Sequence, residues 1–508
     1  MKSWIVSILV LVLFGLYSSS AEIGIGANSQ AKNRSGKAQN DDSSGSNKNV
    51  EVPPLEFIEE TVILGEDIID PGSSIELTVT NSESPFINTE SPETPIAAVV
   101  VEVEKEEKQK HVTADDIKLY LLVQRLLNET PLIDGHNDLP YNIRKFIHGQ
   151  LSDFNFNSDL KNTPPWSRSV WSHTDLPRLR RGRVGAQWFV AYAPCQSQNQ
   201  NAVQITLEQI DLIIRLVSKY PDHMKLAFSA DDIVQAHKEG KIASLIGVEG
   251  GHSIGNSLAT LRAFYDLGVR YLTLTHTCNT AWADSSLVDN AGHKPQHGGL
   301  TEFGRTVVKE MNRLGMLVDL SHTSRLTMMD VFQVSKAPVI FSHSSAFALC
   351  NSTRNVPDDI LQELVFNGGI VMVAFFNFFV KCSQNATVVD VADHINYIRG
   401  RIGIDTIGIG SGYDGINFTP TGLEDVEKYP HLFVELARNP GWSNDDLKKV
   451  AGENFLRVFR DAEQVRDSMR SIGVQPSQQE IVSSEYLEES ARCRYNLSTS
   501  SGGNASIH

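Results

Sequence analysis

Residues 407–415 read IGIGSGYDG, and two folds compete for them. Gly410, Gly412 and Gly415 spell G-x-G-x-x-G, the spacing of a dinucleotide-binding turn. That reading requires a helix immediately afterwards and an acidic residue about 20 positions on. The next ten residues are INFTPTGLED, with Pro420 and Gly422 among them, and they read as loop. The stretch is therefore an apolar strand that ends in a glycine-rich loop, and no nucleotide is expected there.

Seven other runs have the same character: LIDGH (132–136), VGAQWFVAYA (184–193), IASLIGVEG (242–250), VRYLTLTH (269–276), LVDLSH (317–322), PVIFSHS (338–344) and GGIVMVAFF (368–376). Each is short and nearly continuously apolar, as a parallel strand covered on both faces must be. Between most of them lie helical patterns such as SLATLRAFYDLG (257–268) and LTEFGRTVVKEMNRLG (300–315), both closed by glycine. Eight strand–helix repeats predict an α/β fold, a (β/α)8 barrel of the TIM type; an open doubly wound sheet is the alternative. Order is expected to begin at Thr113, which can cap a helix with Asp116 three residues on.

The chain has 508 residues, 41% hydrophobic, with a formal net charge of −16 and no Lys/Arg-dense stripe. That charge disfavours nucleic acid as a partner. Residues 1–21 carry one Lys, an apolar run from Trp4 to Tyr17 and a Ser19-Ser20-Ala21 end, the pattern of a secretory signal peptide. An uncleaved N-terminal anchor is the alternative. Residues 22–112, rich in Ser, Asn and Glu, read as an acidic tether. The barrel domain is expected over 113–465, followed by a polar strap and tail over 466–508. No C-terminal lipid-anchor signal is present in the tail, so a secreted, extracellular protein is expected, with membrane association left open. N-x-S/T sequons open at Asn33, Asn128, Asn351, Asn385, Asn417, Asn496 and Asn504. Five cysteines in an exported chain suggest disulfides and one odd thiol.

In such a barrel, chemistry gathers at the C-terminal ends of the strands. There the sequence places His136 and Asp138, Glu249, His276, His322, His343 and Asp414. His136-x-Asp138 puts two donors on one face of a strand. Imidazoles and carboxylates without thiolates suit zinc or another first-row divalent ion. Five ligand candidates exceed one tetrahedral site and fit two metals that share a bridging carboxylate. His148, His223, His237, His394 and His431 read as solvated, and His252 as a residue that orients its loop.

These motifs, with TLTHTCNT, RNVPDD and GLEDVEKYP, are collinear over about residues 118–465 with the membrane (renal-type) dipeptidase family. The chain resembles those zinc dipeptidases of the amidohydrolase superfamily. The resemblance implies hydrolysis of free dipeptides by a hydroxide shared between two zinc ions. One ion would be held by His136, Asp138 and Glu249, and the other by Glu249, His322 and His343. His276 would contact the substrate, and Arg354 would clamp its carboxylate, unless Arg354 pairs with Asp358 or Asp359. It also implies disulfides Cys195–Cys278 and Cys350–Cys382, with Cys493 linking two chains as a homodimer.

The chain departs from the family at one position. The family's strand-eight run begins with an Asp that moves the proton; here that position is Gly412, and Asp414 matches the second Asp. Asp414 shares strand parity with Gly412, so it is the expected substitute, directly or through water. The departure leaves two other readings open: a catalytically weak, dipeptidase-like binding protein, or a hydrolase of another amide.

Overall fold

The structure, a computed structural model, describes residues 113–478. The expected signal peptide and tether, Cys493, Asn33, Asn496, Asn504 and most of the C-terminal tail lie outside the described residues.

Nine strands form in chain order: β1 (Leu132–Asn137), β2 (Val184–Tyr192), β3 (Met224–Leu226), β4 (Ile242–Glu249), β5 (Val269–Thr273), β6 (Leu317–Asp319), β7 (Ile340–Phe341), β8 (Ile370–Val373) and β9 (Ile407–Ile409). All their pairings are parallel, and eight strands close on themselves through β2–β4 and β1–β9. The chain is a (β/α)8 barrel, and each of the eight apolar runs supplies one of its strands. β3 is the unexpected ninth. It pairs with the first residues of β4, from Ile242 to Ser244, below the point where β5 joins at Ile246.

Several strands are shorter than the runs that encode them. PVIFSHS contributes only Ile340–Phe341 and IGIGSGYDG only Ile407–Ile409. Beyond those residues the chain turns, with left-handed backbone at His322, Gly412 and Asp414 (φ 67°, 76° and 65°). The polar ends of these two runs, and of LVDLSH, are loop.

The intervening helices start where the sequence supplies a cap. Thr113 forms the full capping box with Asp116, and Ser257, Thr301 and Ser324 each accept a backbone N–H three residues on. Gly315 closes helix Glu302–Leu314 at φ 76°, the αL position that favours glycine.

Inside the barrel, Trp188, Leu245, Tyr271, Ile340, Ile370 and Met372 share one buried cluster with Phe455 and Phe459. Those two phenylalanines belong to the final helix, Asn454–Ser471, and stand 5.7 and 6.3 Å from the Trp188 ring. The helix therefore runs past the expected boundary at 465 and packs as part of the barrel domain. Disulfides join Cys195 to Cys278 and Cys350 to Cys382. Among the described residues, no helix is long and apolar enough to cross a membrane.

Candidate metal centre

Four strand ends deliver their side chains to one buried point. β1 carries His136, with Asp138 just beyond it, and β4 ends on Glu249; His322 and His343 come after β6 and β7. All five are at most 8% exposed. Glu249 is the hub. Its Oε1 lies 3.6 Å from His136 Nε2, 3.0 Å from His322 Nε2 and 3.4 Å from His343 Nε2. His136 Nε2 is 3.1 Å from Asp138 Oδ2, and the His322 and His343 Nε2 atoms are 3.1 Å apart. The crowding requires a small residue on β1. A Cβ at Gly135 would stand 2.6 Å from the Ser342 carbonyl oxygen.

Two trios lie within 4.8 Å as ligand atoms: His136, Glu249 and His343, and Glu249, His276 and His322. Glu249 is common to both, but the trios group His343 with His136 and His322 with His276, so they do not coincide with the two ligand sets that the resemblance implies. His276 stands at the rim, its Nε2 3.8 Å from Glu249 Oε2 and its ring 4.3 Å from that of His322.

The electrostatics fit a cation. Burial lifts the Glu249 carboxyl to about 8, with Asp138 adding to the rise against the pull of His136. Burial alone would lower His136, yet Asp138 and Glu249 raise it to about 9. Burial holds His276, His322 and His343 well below the usual imidazole range, so their lone pairs stay available. Asp138 Oδ1 is buried without a hydrogen-bond partner, as an atom reserved for an ion would be. The donor set therefore fits divalent metal.

Arg354 is 8% exposed and lies over the Phe379 ring, 5.0 Å from its centre. It donates to the His343 carbonyl at 3.2 Å and to Ser344 Oγ at 3.4 Å, while its Nε has no partner. The acidic residues suggested as its partners are engaged elsewhere. Asp358 meets Arg401 and Tyr397, and Asp359 meets Arg325.

Gly412 lies at the centre's edge, its N–H donating to the His136 carbonyl at 3.2 Å. A Cβ there would meet only Ile416 Cγ2, at 3.7 Å. Asp414 does not continue a strand alternation from Gly412, because β9 stops at Ile409 and both residues are left-handed. Its carboxylate is instead bound by Asn142 Nδ2 at 3.1 Å, the His173 N–H at 3.3 Å and the Thr174 hydroxyl. Burial raises it to about 7, against the pull of Thr174, Asn142 and Arg178. His173, which sequence reasoning passed over, accepts the Asp414 N–H on Nδ1 at 3.1 Å.

Other histidines sort cleanly. His252 Nε2 bonds the Ala193 carbonyl at 2.7 Å, tying its loop to the end of β2. His394 is buried rather than solvated: it takes the Ala346 N–H on Nδ1 and gives Nε2–H to the Val380 carbonyl. Its apolar helix neighbours Val391, Ile395 and Ile398 were the available signal.

A family model described as "Membrane dipeptidase (Peptidase family M19)" matches residues 122–473. The chain belongs to the membrane dipeptidase family. Dipeptidase 3 of Rattus norvegicus is 48% identical over 372 residues, covering 73% of this chain and 72% of that protein. Dipeptidase 3 of Mus musculus is 50% identical over 351 residues, covering 69% and 68%. Among solved structures, a metallo peptidase from Rhodobacter sphaeroides, liganded with a phosphinate mimic of the dipeptide L-Ala-D-Ala, aligns with a TM-score of 0.59. It is 25% identical and covers 66% of this chain and 99% of its own. The shared barrel of the membrane dipeptidase family is thus the frame on which this centre is built.

Proposed function

We propose that this chain hydrolyses the peptide bond of free dipeptides at a centre holding two zinc ions, outside the cell. The observation that carries the reading is the convergence of His136, His322 and His343 on Glu249 Oε1. His136, Asp138 and Glu249 would hold one ion, and Glu249, His322 and His343 the other. Zinc bound in this way supplies Lewis acidity and a water ionised near neutral pH.

The chain's own residues supply binding and orientation. Arg354, with an unpartnered Nε in a buried setting, receives the dipeptide's carboxylate through a planar fork of donors. His276, held neutral by burial, presents an imidazole beside Glu249, able to donate to the oxygen that gains charge during attack. Moving the proton to the leaving amine is the step least well provided for. Gly412 has no side chain for it, and Asp414 is bound by three donors of its own. That arrangement favours a second reading, a dipeptidase-like protein that binds its ligand and turns it over slowly.

Assay of zinc-loaded protein on a panel of dipeptides separates the two. Turnover clearly above a His136→Ala control supports the enzyme; turnover no higher than that control leaves only the binding protein. The two intrachain disulfides support an oxidising, extracellular compartment. They also consume four of the five cysteines, so Cys493 is assigned to an interchain bridge in a homodimer. Loss of a reducible dimer band in Cys493→Ser would establish that bridge.

A further inference from the structure

Behind two of the histidines at the centre stand buried hydroxyls that nothing in the hydrolytic chemistry requires. The Tyr271 hydroxyl, on β5, lies 3.2 Å from His136 Nδ1 and 3.2 Å from the Gly135 carbonyl oxygen. The Ser342 hydroxyl lies 2.8 Å from His343 Nδ1 and 2.7 Å from Asp319 Oδ2. Each hydroxyl has one hydrogen to give, and in each case one neighbour can only accept.

At Tyr271 the Gly135 carbonyl is that acceptor. The hydroxyl hydrogen goes to it, and the hydroxyl lone pair is left facing His136 Nδ1. At Ser342 the acceptor is Asp319, which collects four donors. The N–H groups of Ser321 and Ser342 reach its Oδ1 at 3.1 and 2.8 Å, and the Thr273 and Ser342 hydroxyls reach its Oδ2 at 2.5 and 2.7 Å. Ser342 therefore also turns a lone pair towards its histidine. A lone pair facing Nδ1 is satisfied only by an Nδ1–H, and a neutral imidazole carrying that hydrogen has a bare Nε2. In both rings Nε2 is the atom that faces Glu249.

We infer that Tyr271 and the Asp319–Ser342 pair are positioning residues that fix His136 and His343 in the Nδ1–H tautomer and so aim unprotonated Nε2 atoms at the metal ions. The inference rests on the two-metal reading above. The barrel is shaped to deliver these groups. Tyr271 reaches across the interior because β4 has glycine at 247, where a Cβ would stand 2.3 Å from its ring. Asp319 closes β6 with no exposure to solvent. Partners behind ligating histidines typically change metal affinity by about 10–100-fold when removed.

The test is zinc affinity, measured on the whole protein by competition with a chromophoric chelator. Tyr271→Phe keeps the ring that packs on Gly247 and removes only the hydroxyl. Ser342→Thr and Ser342→Val have nearly equal volume and differ in the hydroxyl. Tyr271→Phe and Ser342→Val are expected to bind zinc about 10–100-fold more weakly than wild type, with Ser342→Thr recovering most of the loss. The cobalt-loaded absorption spectrum is expected to shift in the two weakened variants. Thermal unfolding of the chelated proteins distinguishes a folding defect, because Thr and Val share any defect of volume. Equal zinc affinity for Thr and Val, together with wild-type affinity in Tyr271→Phe, overturns the inference. Wild type that takes up no zinc overturns the two-metal reading, and this inference with it.

Discussion

Gly412 has room for a side chain, and its backbone (φ 76°) lies in a region that Asp enters more readily than most residues. Gly412→Asp is therefore expected to fold at a cost of about 1 kcal/mol. It is expected to raise the turnover of zinc-loaded protein by about 10²-fold, the lower end of what a positioned proton carrier contributes. A rate unchanged by the substitution would show that proton movement is not what Gly412 removes. Arg354 makes a separate statement about recognition. Its guanidinium is unmatched at Nε and feels Glu249 and Asp319 only through space, so Arg354→Ala is expected to lower kcat/KM by about 10–100-fold, mainly through KM. Wild type should discriminate against dipeptides amidated at the C-terminus, and the variant should lose most of that discrimination. Retained discrimination would move the carboxylate site elsewhere. The clustered residues proposed to hold metal were legible because histidine and carboxylate side chains stand out at the ends of apolar runs. Tyr271 and Ser342 were not, because a tyrosine in a strand and a serine beside a histidine look ordinary until their neighbours across the barrel are known. Asp319 did leave a trace, as a charged residue inside the apolar run LVDLSH.

The loop after β5 carries His276, and two residues later Cys278 fastens that loop to Cys195 beyond β2. The bridge lies against working parts: Cys195 Sγ is 3.9 Å from His276 Nδ1, and Cys278 Sγ is 4.0 Å from His252 Nδ1. Replacing both cysteines by serine is expected to cost about 2–5 kcal/mol. Turnover should fall while zinc affinity holds, because His276 touches Glu249 only from the rim. Calorimetry and the chelator competition together check this; a parallel loss of zinc affinity would show that the strap supports the whole centre. Elements were the most legible level of the fold. Short apolar runs, glycine stops and Ser/Thr caps all act locally, so the eight runs and helical patterns between most of them could be read in place. What escaped was β3, whose MKL has no apolar period of its own and exists because β4 offers it an unpaired edge below β5. The end of the last helix escaped too, because its arginine- and aspartate-rich outer face hides Phe455 and Phe459, which are buried against Trp188.

At the scale of the molecule, stability is tied to pH through histidines kept neutral in the interior. His173 is the clearest case: burial, helped by Arg178, lowers it to about 3 from an ordinary 6.5. Because the folded value is the lower one, its contribution is fully present above pH 6.5 and is lost as the pH falls towards 3. The chelated protein is expected to lose a few kcal/mol of stability across that window on this account. Denaturant midpoints at about pH 7.5 and 5 should show His173→Gln with a shallower acid loss than wild type; an identical slope would remove His173 from the account. The same residues have a consequence in time. Asn142 grips Asp414 across 272 residues of sequence and His173 across 241, and β1 closes the barrel only on β9. A ribosome adding about 5–20 residues per second makes the first strand wait roughly 15–55 s for its last neighbour. Throughout that interval β1 has one raw edge, and His136 and Asp138 stand ready with the groups that complete their site still unmade. Folding of this chain is therefore governed by its latest-made strand, and a nascent chain stalled before residue 407 exposes an open sheet to any passing strand.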